Sequence, residues 1–279
     1  MKFLVTGGSG QLGMELVRLL KERNMDFVTF NSKELDITDR NQVLDVFLKE
    51  RPDVIFDAAA YTDVDKAEEE EGRDRNWLVN ATGTKNLAEI ANEINATMVF
   101  VSTDYVFDGK KTTPYLETDE PNPQNEYGRA KLAGEEAVAK SGVDSYIIRT
   151  SWVFGEFGSN FVFTMRNLGS KMDRLTVVND QKGRPTWTKT LAEFMIYLVQ
   201  NEAEYGIYNL SNDNEATWFD FAKEILQDVN VNVSPVTSEA FPTKAVRPQH
   251  SVLDLKKAKN TGFVIETWQV ALKNFLATL

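Results

Sequence analysis

The feature that most restricts the fold is Gly7-Gly8-Ser9-Gly10-Gln11-Leu12-Gly13, set between an apolar run at residues 2–6 and a helical pattern at residues 11–23. Its glycines fit two spacings, Gly8-x-Gly10-x-x-Gly13 and Gly7-x-x-Gly10-x-x-Gly13. In both, residues without a Cβ let a strand turn directly into a helix. They also let an anion approach the helix N-terminus, where free N–H groups and the helix dipole favour negative charge. An isolated glycine motif is a weak signal. Placed between a first strand and a first helix, it predicts the opening turn of a dinucleotide-binding sheet, with Gly7, Gly10, Gln11, Leu12 and Gly13 against the pyrophosphate.

The residues that follow continue the pattern. Strands are expected at 26–30, 53–57, 97–102 and 144–149, alternating with helices near 39–50, 73–95 and 124–141; Thr38 is the expected cap of the second helix, and Gly142 the stop of the last. Short β-branched runs alternating with helices specify a parallel sheet covered on both faces, a Rossmann-type doubly wound α/β fold. Ala58-Ala59-Ala60 leaves room for a ligand at the carboxyl end of the third strand. Past residue 150 the spacing becomes irregular, with helices near 188–202, 217–229 and 265–278. Residues 1–150 are therefore expected to form the NAD(P)-binding domain. Residues 151–279 are expected to form mainly a smaller α/β substrate lobe, with some segments returning to the main sheet.

The chain has one His and no Cys, so proton chemistry falls to Tyr, Lys, Asp or Glu. Tyr127 and Lys131 stand four residues apart, on one face of a helix. A free phenol has a pKa of about 10, and a fixed cation alongside favours its phenolate. After the second strand, Phe30-Asn31-Ser32-Lys33 lacks the acidic residue that grips an adenosine ribose, so NADPH, with Lys33 near its 2′-phosphate, is as open as NADH; Asp36 and Ile37 are placed to flank the adenine. A net charge of −11 argues against nucleic acid or an anionic membrane surface as partner. No apolar run is long enough to span a bilayer, and the first one is too short for a signal peptide, which suggests a soluble cytoplasmic protein. Glu68-Glu69-Glu70-Glu71 reads as a solvated face and His250 as structural; no metal site is assigned.

Taken in order, the glycine loop, Ala58-Ala59-Ala60-Tyr61-Thr62, Asn80, Ser102-Thr103-Asp104-Tyr105-Val106-Phe107 and Tyr127-x-x-x-Lys131 resemble the extended short-chain dehydrogenase/reductase superfamily. Within it, residues 102–109, Arg149-Thr150-Ser151-Trp152-Val153-Phe154-Gly155, the segment 180–186 and Ala245-Val246-Arg247-Pro248 are similar to the dTDP-4-dehydrorhamnose reductase family. The likeness implies NAD(P)H-dependent reduction of the C4 keto group of dTDP-4-dehydro-L-rhamnose. Tyr127 would be the proton donor, Lys131 would lower its pKa and bind the nicotinamide ribose, and Thr103 would hold the carbonyl oxygen. Ala60, Tyr61 and Thr62 join the cofactor set by the same likeness, and Asp104, Tyr105, Trp152, Asn160, Arg184 and Arg247 the substrate set. The superfamily more often has Ser where Thr103 stands, and Ser102 is adjacent. Two alternatives stay open: an epimerase or dehydratase using Asp104 on the same framework, and a non-catalytic dinucleotide-binding regulatory subunit. A monomer or a homodimer fits the sequence equally well.

Overall fold

Five strands from the first 150 residues, β1 (Lys2–Thr6), β2 (Asp26–Phe30), β3 (Val54–Asp57), β4 (Thr97–Thr103) and β5 (Ser145–Thr150), form one parallel sheet in the computed structural model, which describes residues 1–279. A sixth strand, Gly206–Asn209, pairs in parallel with β5, so the order across the sheet is Gly206–Asn209, β5, β4, β3, β1, β2. The chain leaves β1 for β2 on one side and returns to β3 on the other. The carboxyl ends of β1 and β3 therefore flank the point where the winding reverses, which is where doubly wound sheets open a crevice.

The helices are α1 (Gln11–Glu22), α2 (Arg40–Glu50), α3 (Glu70–Trp77), α4 (Thr84–Glu93), α5 (Glu126–Ser141), α6 (Phe161–Gly169), α7 (Thr188–Gln200) and α8 (Trp218–Ile225), with two more toward the carboxyl end. Alternate residues of each strand face opposite layers. Phe3, Val5, Phe56 and Ile148 pack with α1 and α7 residues such as Leu19 and Phe194. Leu4, Ile55, Phe100 and Ile147 pack with Phe47, Leu87 and Val138 of α2, α4 and α5. Burial on both faces explains why these strands read as continuous apolar runs.

Past residue 150 the chain divides between two places. α7 and the strand Gly206–Asn209 belong to the main sheet, whereas Phe154, Val162, Leu175, Phe221, Trp268 and Phe275 build a separate core. Two short parallel strands, Arg174–Val178 and Asn232–Val236, edge that second core.

Several local expectations are corrected. Asp39, not Thr38, caps α2: its carboxylate accepts the N–H groups of Asn41 and Gln42 at 2.9 and 3.3 Å. The helix expected at 73–95 begins at Glu70 and is broken by a π-turn, Leu78–Gly83, before α4. That turn aims Asn80 at the loop after β3, where its amide donates to the Tyr61 carbonyl and accepts the Tyr61 N–H. Glu68 is not a solvated residue only; it accepts the Glu126 N–H at 2.8 Å and so satisfies a free donor in the first turn of α5. The same helix is capped by Asn125 and ends at Gly142 with φ of 78°. α8 stops at Ile225, short of the expected 229.

Candidate active site

The carboxyl ends of β1, β3, β4 and β5 open into a cleft of about 650 Å³ that runs from the glycine loop to Trp152 and Arg247. At the first end the wall is backbone. A Cβ on Gly7, whose φ is +64°, would lie 2.7 Å from Ala58 and Ala59 main-chain atoms, and one on Gly13 would run into the Gly7 carbonyl oxygen. α1 carries no side-chain cap at Gly10, which leaves its first N–H groups free to face a pyrophosphate. Gly10, Gln11, Leu12, Ala60 and Thr62 line the cleft beside this cradle. The residues present thus fit a dinucleotide.

Other cofactor candidates are placed differently. Tyr61 turns its phenol against Gly72 and contributes main chain to the loop that Asn80 fixes. Ile37 is buried in the core beneath α4, where a Cβ on Gly83 would meet its Cδ1 at 2.6 Å. Asp36 spends its carboxylate on the N–H and hydroxyl of Thr38. Neither Asp36 nor Ile37 lines the cleft, although both flank the loop after β2. Lys33 is exposed in that loop.

Thr103, Tyr127 and Lys131 meet at the middle of the cleft. Thr103 ends β4, and its hydroxyl donates to Asp104 Oδ1 and accepts the Tyr105 N–H, both at 3.2 Å. Tyr127 lies edge-on to Tyr105 with ring centroids 5.7 Å apart. Burial pushes the phenol well above its usual range, a shift that the Thr103 hydroxyl opposes and Asp104 adds to. The expected lowering by Lys131 is not what governs the phenol here. Burial also pushes Lys131 down to about 8, against the pull of Asp57 and Glu135, and its ammonium rests 4.1 Å from the Phe100 ring centroid. Burial thus shifts both groups toward their neutral forms, while Lys131 at about 8 remains mainly an ammonium at neutral pH. Asp104 is likewise buried and pushed up to about 6 by burial, with Oδ2 lacking a partner.

The far end is built of side chains from distant segments. Trp152 takes a left-handed backbone, φ 47°, that a bulky residue rarely adopts, and its ring stacks on Trp218 at 3.7 Å and 11°. Gly183 makes the fit possible, since a Cβ there would lie 2.8 Å from the indole. Arg247 donates to Asp65 at 2.7 Å and to the Tyr105 hydroxyl at 3.5 Å while still lining the cleft. A second, largely apolar hollow of about 580 Å³, with Met165, Leu175 and Phe241 in its wall, joins the cleft at Trp218 and Arg247.

Two expected substrate residues are turned elsewhere. Arg184 pairs with Asp213 at 3.3 Å, is mostly buried, and does not line the cleft. Asn160 caps α6 and donates to Gln11 Oε1 at 2.9 Å, so it braces the glycine loop instead of facing a sugar. His250 is half-buried and donates its main-chain N–H to Gly109. No group of three or more His, Asp or Glu is arranged to hold a metal ion, and no helix is long and apolar enough to cross a membrane.

The structure adds residues the sequence reading passed over. Asp57, buried at the end of β3, lines the cleft. Beneath Thr103, Glu135 takes the Ser102 hydroxyl at 2.5 Å and a bidentate Arg149 guanidinium, its closest contact 2.6 Å. Ser102 also lines the cleft, but its hydroxyl is spent on Glu135, which leaves the strand-end hydroxyl there to Thr103. Trp218 is a third omission; only its position beside Trp152 distinguishes it from any apolar helix residue.

Comparison with known proteins agrees with this geometry. The family model described as the RmlD substrate binding domain matches residues 1–279. Spore coat polysaccharide biosynthesis protein SpsK of Bacillus subtilis is 40% identical over 277 residues, covering 99% of this chain and 96% of that protein. The dTDP-4-dehydrorhamnose reductase of Aggregatibacter actinomycetemcomitans is 39% identical over 292 residues, covering 99% and 98%. Among solved structures, the Clostridium acetobutylicum dTDP-4-dehydrorhamnose reductase superposes with a TM-score of 0.96 at 41% identity, covering 100% of this chain and 99% of that one. The Bacillus anthracis reductase, solved in complex with NADP, gives 0.96 at 38% identity with the same coverage. A Thermus thermophilus UDP-glucose 4-epimerase, at 20% identity and a TM-score of 0.82, shares the fold. Matched from end to end by the family and over nearly its whole length by these reductases, the chain belongs to the RmlD family of dTDP-4-dehydrorhamnose reductases.

Proposed function

We propose that this protein reduces the C4 keto group of dTDP-4-dehydro-L-rhamnose to give dTDP-L-rhamnose, with NADPH or NADH as reductant and Tyr127 as proton donor. The observation that carries this reading is one cleft lined at one end by a glycine cradle and at its middle by Thr103, Tyr127 and Lys131. Residues 1–150, completed by α7 and the strand Gly206–Asn209, form the dinucleotide-binding part, and most of the remainder forms the substrate part. We further read the protein as a cytoplasmic monomer or homodimer.

Bound cofactor supplies a hydride, and the chain's own residues do the rest. The Thr103 hydroxyl donates to the carbonyl oxygen and fixes it beside Tyr127. As C4 is reduced, that oxygen becomes an alkoxide, a far stronger base than a phenolate, so the proton of Tyr127 moves to it downhill. The high pKa imposed by burial keeps the phenol protonated until that moment. The Lys131 ammonium stabilises the phenolate left behind and holds the nicotinamide ribose. At the far end, Trp152 presents an apolar face to the C6 methyl side of the sugar. Arg247 faces the diphosphate, which replaces Asp65 as its partner. The apolar hollow beyond Trp218 is the seat we assign to the thymidine.

One incubation tests the reading. The purified protein is mixed with dTDP-4-dehydro-L-rhamnose and each reduced cofactor in turn, and nicotinamide oxidation is followed. Stoichiometric oxidation with formation of dTDP-L-rhamnose is expected. Conversion of the sugar without loss of reduced cofactor would contradict it and favour an epimerase or dehydratase, for which Asp104 would be the added acid.

A further inference from the structure

Asp57 occupies a place for which the reductase reading gives no role. It is the last residue of β3, in register with Thr6 of β1 and Phe100 of β4, and it is 1% exposed. One carboxylate oxygen, Oδ1, accepts the Thr6 hydroxyl at 2.7 Å and the Ala59 N–H at 3.2 Å. The other, Oδ2, is buried without a hydrogen bond in the structure, and the nearby Thr84 hydroxyl, itself unpaired, is the one neutral donor that acts on this carboxylate besides Thr6 and the Ala59 N–H. An unpaired buried carboxylate oxygen is costly, and a side chain that tolerates it is usually compensated by a nearby charge.

The compensating charge is Lys131. In a parallel ladder, registered partners point to the same face, so Asp57 lies beside the Phe100 ring on which the Lys131 ammonium rests. Both side chains line the same cleft without a direct ion pair; burial pushes the Asp57 carboxyl up and Lys131 opposes that shift, while burial pushes Lys131 down and Asp57 opposes it in turn. Lys131 therefore has three donors to place, and Asp57 has one acceptor left over. The other ionisable groups near the lysine are accounted for. Glu135, one turn along α5, is saturated by Arg149 and Ser102. Asp104 and Tyr105, after β4, act on the phenol of Tyr127, which also stands on α5. Asp57 is the only carboxylate facing the lysine with an unspent oxygen.

Resting on the reductase reading, we propose that Asp57 is a positioning residue: the counter-ion of Lys131, bridged to its ammonium by water, that holds the lysine charged and aimed while Tyr127 gives up and regains its proton. The charged lysine is the form that stabilises a phenolate. Burial lowers its pKa and the Asp57 charge raises it, so removing that charge must move the lysine's titration, and with it the loss of activity, to lower pH.

Asp57→Asn tests this, because the amide keeps the shape and an oxygen for Thr6 and Ala59 while deleting the charge. The Lys131 ammonium would be titrated by ¹⁵N NMR of the lysine-labelled protein alone, assigned with Lys131→Met, and the pH profile of kcat measured for wild type and variant. An opposite charge within about 4–6 Å is worth about one to three pH units. The expected result is a downward shift of at least about one unit in the lysine midpoint, matched in the alkaline limb of kcat, with activity recovered at the acidic end and the KM for the nucleotide sugar unchanged. Superimposable titrations of wild type and variant would overturn the proposal, as would a uniform loss at every pH accompanied by a lower Tm, which would mark Asp57 as structural. Failure of the reductase reading is seen separately, as absence of turnover by the wild type; the NMR titration reads the Asp57–Lys131 coupling in either case.

Discussion

The two ends of the cleft are built from different materials. The cofactor end is backbone: glycines that exclude a Cβ, uncapped N–H groups of α1, and the Ala58–Ala60 main chain close behind them. The substrate end is side chain: Trp152 from the stretch after β5, Trp218 from α8, Arg247 from a late loop, and Asp65 from before α3. Backbone recognition suits a ligand group that is the same in every turnover, a pyrophosphate. Side-chain recognition suits a variable sugar, because single substitutions can reshape it without disturbing the sheet. Tyr127, the proposed proton donor, sits where the two constructions meet.

Substitutions aimed at each part should separate its effects. Tyr127→Phe, at the junction, is expected to lower kcat by about 10²–10⁴-fold, the span of general acid catalysis, while the Kd for NADPH measured by fluorescence stays at the wild-type value. A matching loss of cofactor affinity would place Tyr127 at the cofactor end instead. Gly13→Ala puts a methyl group against the Gly7 carbonyl, and overpacking of about 1–3 kcal/mol predicts NADPH affinity reduced by up to about 100-fold, with nucleotide-sugar binding by calorimetry little changed. Arg247→Ala should do the reverse. On the proposed reading its guanidinium would exchange Asp65 for the diphosphate, so only part of the ~1.5–3 kcal/mol of a charged hydrogen bond would be lost, and KM for the nucleotide sugar should rise about 10-fold with Kd for NADPH unchanged.

The same contrast explains what the sequence revealed. The glycine loop and the strand–helix alternation were legible because backbone geometry restricts which residues can stand there: no side chain fits at Gly13, and buried parallel strands demand unbroken apolar runs. Tyr127 and Lys131 were legible through helical spacing. Arg184 and Arg247 looked equivalent, since each is an arginine immediately before a proline. Only tertiary placement sends one to Asp213 and the other to the cleft. Glu68 belonged to an acidic run that reads as solvated, yet α5 folds its N-terminus onto it. Asp57 reads as any strand-end aspartate until its register with Phe100 brings it to Lys131. Interactions specified by chain-distant partners leave no periodic trace.

The central claim is that a hydride enters at C4 of the sugar between the backbone-built and side-chain-built ends, with Tyr127 completing the hydroxyl. It is tested most directly by running the reaction with dTDP-4-dehydro-L-rhamnose and NADPH deuterated at the transferable position of the nicotinamide, then locating the label in the product by NMR. The account predicts one deuterium at C4 of dTDP-L-rhamnose for each cofactor oxidised. A product without deuterium, or with it at another carbon of the ring, would contradict it.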